Sequence, residues 1–292
     1  MSVLESLAVG LGKLVDIDAH EGPVYAERER ALYFTTLPKP GLEVSIKRLD
    51  LESLKVTVVR ESANGANGMT LAPDGRLLVC EQGTRRERAR ISAVDPGNGV
   101  AETVVDEFAG LPLNSPNDIV AAADGSIWFT DPSYGFLQGF KPEPAYGDFV
   151  YRFDGKRLTV VEDSFDKPNG LAFSPDESIL YIGDSGANHE PGSFDPRRPH
   201  HIRAFDVSDG KRLENGRPFA TITPGFPDGI KVDSEGRVYS SSFSGVQIFS
   251  AEGELLEEIL LPGAVNFTFA GSTLVITTDT AIWAARLSAK GA

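Results

Sequence analysis

The chain has 292 residues, 41% hydrophobic and 24% charged, and its 30 glycines and 19 prolines announce frequent turns around a sizeable core. Forty-two acidic side chains against 28 lysines and arginines leave a net charge of −14, which repels phosphate backbones and anionic lipid and so argues against nucleic acid and membrane partners. The single cysteine, Cys80, excludes an intramolecular disulfide and a thiolate zinc site.

The first twenty residues carry no basic leader and no long apolar run, so a cytoplasmic location is expected, and a strand is predicted within residues 3–15. From Glu21 onward a repeat governs the chain. EGPVYAERERALYFTTL opens it, followed by NGMTLAPDGRLLVCEQG from Asn67, NDIVAAADGSIWFTDPS from Asn117 and NGLAFSPDESILYIGDSG from Asn169. DGIKVDSEGRVYSSSFSG from Asp228 and NFTFAGSTLVITTDT from Asn266 complete the set. Each copy reads as a small polar or acidic residue, a short apolar strand, a turn and a second apolar strand. Pairs such as Asp74-Gly75 and Asp124-Gly125 mark the turn, because glycine reaches positive φ without a Cβ clash.

The openings step by 46, 50, 52, 59 and 38 residues, a blade-length period, and further strand-like runs lie between copies. The predicted fold is therefore all-β, a six-bladed β-propeller with four antiparallel strands per blade, in one domain spanning residues 1–292. The last copy is short of one strand, which the N-terminal segment supplies to close the ring.

Innermost strands line a propeller's channel, so equivalent openings make a ring: Glu21, Asn67, Asn117, Asn169, Asp228 and Asn266. Asn and Asp also cap ordinary turns, but six in register are better read as a site. Two carboxylates with amide oxygens, and no His or Cys, suit a hard divalent cation: Ca²⁺ first, with Mg²⁺, Mn²⁺, Zn²⁺ or Fe²⁺ as alternatives. Two long connections, residues 131–147 and 184–200, are expected to wall a pocket above the ring. They contribute Asp131, Tyr134, Tyr146, Asp184, His189 and Arg197, with Arg85 and Arg86 from the loop 82–90. No Gly-x-Ser-x-Gly elbow and no phosphate-binding glycine loop is present.

The stretches HEGPVY, NGMTLAPDGRLLVCEQGTRR, NSPNDIVAAADGSIWFTDPSYG, KPNGLAFSPDESILYIGDSG and FPDGIKVDSEGRVY resemble the senescence marker protein, gluconolactonase and luciferin-regenerating enzyme family, closest in character to its bacterial gluconolactonase branch. The resemblance implies a divalent cation held by Glu21, Asn117, Asn169 and Asp228, and hydrolysis of a small sugar-acid lactone. Mammalian members carry an arginine where this chain has Ser115, so their sugar preference does not transfer.

The expected mechanism polarises the lactone carbonyl and uses Asp228 as general base toward water; a second reading keeps Asp228 as a ligand only, since a cation lowers carboxylate basicity. Asn67, Asn117, Arg85, Asp131, Tyr134 and Asn266 are the expected substrate contacts. Two other functions fit the same ring: organophosphate or phosphotriester hydrolysis, and a non-catalytic propeller with a structural cation. Oligomeric state leaves no mark in the sequence.

Overall fold

The computed structural model describes residues 7–39, 42–190 and 192–291. Their strands form six four-stranded antiparallel sheets arranged as the blades of a propeller. Blade 1 runs from Val24–Ala26 to Val56–Arg60, blade 2 from Ala66–Leu71 to Ala101–Val105 and blade 3 from Ile119–Ala121 to Leu158–Glu162. Blade 4 runs from Pro168–Phe173 to Arg212–Thr221, and blade 5 from Ile230–Val232 to Leu255–Leu260. Blade 6 takes three strands from Ala264–Ala270, Thr273–Thr278 and Ala281–Leu287, and its outermost strand is Ala8–Asp16 from the other end of the chain. The predicted ring closure is thus observed, although residues 3–6 of the predicted segment lie outside the described residues.

Burial explains why the inner strands read as unbroken apolar runs. Leu77–Glu81 and Ile127–Asp131 are buried at every position, being covered by neighbouring blades on both faces. Outer strands such as Val56–Arg60 stand at the rim and mix half-buried with exposed positions. Among the described residues the core is divided accordingly into six clusters, each filling the wedge between successive blades. Tyr33, Ile46, Met69 and Val79 join blades 1 and 2. Ala19, Leu32, Phe34, Val275 and Ile282 join blade 6 back to blade 1.

The turns on the far face follow glycine chemistry. Ala72 and Arg76 bond across Pro73, Asp74 and Gly75, and Gly75, at φ 89°, donates its N–H to the Ala72 carbonyl at 2.9 Å. Outside the repeat, a ribbon pairs Glu107–Phe108 with Leu111–Pro112. Its two turn residues, Ala109 and Gly110, both have positive φ, and two-residue strands are too short to show alternation. Tyr146 is committed to this ribbon, donating from its hydroxyl to the Phe108 carbonyl at 3.1 Å and packing edge-on against the Phe108 ring. Among the described residues no helix is long and apolar enough to cross a membrane.

Blade-to-blade contact is tightest around the axis. A Cβ on Gly170 would lie 2.0 Å from the Asp228 carbonyl oxygen, and one on Gly68 2.5 Å from that of Asn117. Only glycine allows the neighbouring ring residue to come so close. Gly170→Ala is expected to cost about 1–3 kcal/mol, read as a lowered midpoint in thermal unfolding.

Candidate axial site

Each ring residue sits at the start of its blade's innermost strand, and neighbours hold one another. Asn266 Nδ2 donates to Glu21 Oε2 at 2.7 Å. The Gly68 N–H donates to the Asn117 carbonyl at 2.8 Å, and Thr130 Oγ1 in blade 3 donates to the Asn169 carbonyl at 2.8 Å. Thr35 Oγ1 in blade 1 reaches the Asn67 carbonyl in the same way. With the Gly170–Asp228 approach and that of Gly229 to the Asn266 side chain, the contacts make a closed circuit around the axis. All six predicted ring residues are brought together.

Acidic residues ending the second strands fix the height at which the ring residues emerge. Asp131 Oδ2 accepts the Asn114 N–H at 2.8 Å, three residues before Asn117. Asp184 accepts the N–H groups of Asp166 and Lys167 at 3.0 and 2.9 Å, just ahead of Asn169. Glu81 accepts Asn64 Nδ2 at 3.0 Å, three residues before Asn67. The signal was present in the sequence as Cys-Glu, Thr-Asp and Gly-Asp at equivalent places. Asp131 and Asp184 therefore organise backbone through these bonds.

The electrostatics of the ring are those of uncompensated negative charge. Burial, and then repulsion from Glu21, push the Asp228 carboxyl well above its ordinary range, while His20 and the Asn169 carboxamide oppose the shift. Asp228 keeps some solvent contact although protein surrounds it, as expected at the floor of a recess. Asp118 adds a third carboxylate that sequence reasoning missed. Burial pushes it up to about 6, against the opposing charge of Lys231, whose Nζ stands 3.9 Å away. Its mark in the sequence is Asn-Asp where three other copies read Asn-Gly or Asp-Gly. The site of Asp118 Oδ1 is the space that a Cβ on Gly68 would fill.

Several polar atoms here lack partners. Asn67 Oδ1, Asp118 Oδ2 and the Tyr134 hydroxyl are buried without a well-formed hydrogen bond among the described residues. Tyr134 opens a single helical turn, Tyr134–Leu137, and its hydroxyl lies beside Ser185, Asn169 and Asp228. Burial, with Asp228 as a further cause, raises its pKa well above the usual phenol value, so it remains a neutral donor. Carboxylate and amide oxygens gathered on one axis, one of them, Asn67 Oδ1, without a partner, are the oxygen chemistry that a hard cation takes, and the residues present fit one on that ground. Among the described residues no three His, Cys, Asp or Glu side chains are grouped so as to hold a metal ion by themselves.

The remaining predicted residues are placed off the axis. Arg85 donates from Nε and Nη2 to the Gly139 carbonyl at 3.3 and 3.0 Å, tying two loops together. His189 meets Asp166 at 2.9 Å, and Arg197 pairs with Asp195 while standing almost fully exposed. Asn266 spends its carboxamide on Glu21 and on the Phe267 N–H, which makes it a positioning residue.

Residues 19–280 match the model of the SMP-30/gluconolactonase/LRE-like region. A gluconolactonase of Zymomonas mobilis is 32% identical over 264 residues, covering 82% of this chain and 69% of that protein. The lactonohydrolase oryL of Aspergillus oryzae is 30% identical, covering 87% of this chain and 64% of its own length. The solved structure of a gluconolactonase from Xanthomonas campestris superposes with a TM-score of 0.81 at 37% identity, over 95% of this chain and 89% of that one. With the six blades, the axial ring and these matches together, the chain belongs to the SMP-30/gluconolactonase/LRE-like family.

Proposed function

We propose that the protein is a divalent-cation-dependent lactonase that opens sugar-acid lactones. The observation that carries this reading is the axial ring, in which Glu21 repels the Asp228 carboxyl and the Asn67 amide oxygen is buried without a partner among the described residues. The gluconolactonase and lactonohydrolase relatives support the reaction class. Glu21, Asn117, Asn169 and Asp228 would hold the cation, with Ca²⁺ the best match to an all-oxygen set. When bound, such an ion supplies Lewis-acid polarisation of the lactone carbonyl.

The protein's own groups do the rest. Asp228 takes a proton from water as the water oxygen bonds to the carbonyl carbon. The ring C–O bond then breaks, and Asp228 returns the proton to the departing oxygen, so one water is consumed and one hydroxy acid formed. Glu21 remains a ligand, oriented by Asn266. Asn67 and Tyr134 offer hydrogen bonds to the substrate: the first through its unpaired carboxamide, the second through a phenol that cannot ionise near neutrality.

The test is acid release from a panel of glucono-, xylono- and galactono-lactones, before chelation, after it, and after re-addition of Ca²⁺, Mg²⁺, Mn²⁺, Zn²⁺ or Fe²⁺. Hydrolysis that disappears on chelation and returns with one ion is expected. Rates equal to the uncatalysed reaction for every lactone and every ion would overturn the proposal.

A further inference from the structure

Beside the axial site, between the outer loops of blades 2 and 3, lies a recess of about 200 Å³ lined by Arg85, Arg86, Arg88, Lys141, Ser133 and Phe136, among others. In a chain of net charge −14 it gathers four cationic side chains against Glu87 and Glu143. Two of the four are committed elsewhere. Arg85 is spent on the Gly139 carbonyl, and Arg88 faces Glu107 at 3.5 Å and Asp106 at 3.9 Å.

Lys141 is different. It is only 8% exposed, its stem packs over Gly135, and its ammonium has neither a hydrogen bond nor an ion pair within 4.0 Å among the described residues. The one charge that acts on this ammonium from within the chain is the buried Asp131 carboxyl, which makes no ion pair with it inside 4.0 Å, so an anion in the recess would give the ammonium its direct partner. Arg86 stands exposed on the same recess, its guanidinium likewise unpaired.

The recess and the axial site are built from adjoining stretches of the chain. Ser133 lines it while the next residue, Tyr134, reaches toward Asp228, and Ser115 lines it two residues before Asn117. Ser115 itself is fully used, donating to the Pro132 carbonyl at 2.6 Å and accepting the Gly135 N–H at 2.9 Å. It carries no charge to a substrate. The volume is below the roughly 300 Å³ at which pockets begin to hold whole ligands, so the recess suits one charged substituent.

We infer that this recess binds an oxyanion through Lys141 and Arg86, and that it anchors the acidic group of a carboxylate- or phosphate-bearing lactone. The inference rests on the lactonase reading for its substrate and on the recess alone for its anion.

The experiment compares a neutral lactone with one carrying a carboxylate and one carrying a phosphate, in wild type and in Lys141→Met, with inorganic sulfate as a separate probe. A charged hydrogen bond is worth about 10- to 100-fold. Lys141→Met is expected to lower kcat/KM for the preferred anionic lactone by that factor and to change the neutral lactone by less than about twofold. Whichever anionic lactone responds identifies the source of the oxyanion. In unmodified protein, sulfate is expected to compete with the anionic lactone and spare the neutral one, a result independent of how the variant folds. Equal losses on all lactones, or none, with no selective effect of sulfate, overturn the inference while leaving the lactonase intact. Sulfate binding by calorimetry that is lost in Lys141→Met, in a protein that hydrolyses no lactone, supports the recess and removes the lactonase.

Discussion

Asp228→Asn is expected to cut lactone turnover by about 10²- to 10⁴-fold, the usual contribution of a general base, while Ca²⁺ still raises the unfolding temperature. Asparagine is nearly isosteric and keeps an oxygen for the cation, so the substitution removes proton acceptance more than coordination. It also relieves the repulsion that Asp228 suffers from Glu21, and the metal-free variant should be more stable than the metal-free parent. The comparison is made by steady-state kinetics at saturating ion, with thermal shift run in parallel. Turnover within about threefold of wild type would make Asp228 a ligand only, because a coordinated carboxylate is a weak base.

Chelated protein is expected to lose stability as the pH rises from 4 to 8. Asp228 is raised well above the usual carboxylate range, burial pushes Asp118 up to about 6, and burial pushes Asp131 up to about 7. In the unfolded chain these groups titrate near 4. Between the two values the folded protein holds protons that the unfolded chain has released. The stabilisation is therefore complete below the unfolded pKa and disappears as the pH passes through the folded one. A displacement like that of Asp118, about two pH units, corresponds to about 3 kcal/mol. Saturating Ca²⁺ should reverse the trend at pH 7–8 by favouring ionised Asp228, adding about 3 kcal/mol at a hundredfold excess over Kd. Differential scanning calorimetry across this range, with and without chelator, is the measurement. A chelated protein whose midpoint is flat or rises between pH 5 and 8 would contradict the buried-carboxylate account.

Much of the site was readable before any coordinates. The opening residues of the six copies recur at a blade-length period, and the circuit linking Asn266 to Glu21 and Gly68 to Asn117 is the three-dimensional form of that register. The long connection after Asp131 pointed to Tyr134, whose hydroxyl does reach the ring. Asp118 stayed hidden because a neighbour of a ring residue reads as ordinary strand, and only Lys231, more than a hundred residues away in sequence, shows how it is held. The same connection also gave Tyr146, which turns instead onto a ribbon too short to leave a pattern.

The sequence alone determined the blade count, the strand pattern and the six ring residues, because each is a repeated local feature: a turn, an alternation or an opening residue that a period carries to the same height in every blade. Tertiary structure alone decided which carboxylates repel one another, that Asp131 and Asp184 grip backbone, and that Lys141 lies buried with no direct ion pair among the described residues. Those outcomes depend on the distance and desolvation between segments remote in the chain, quantities that no local pattern encodes.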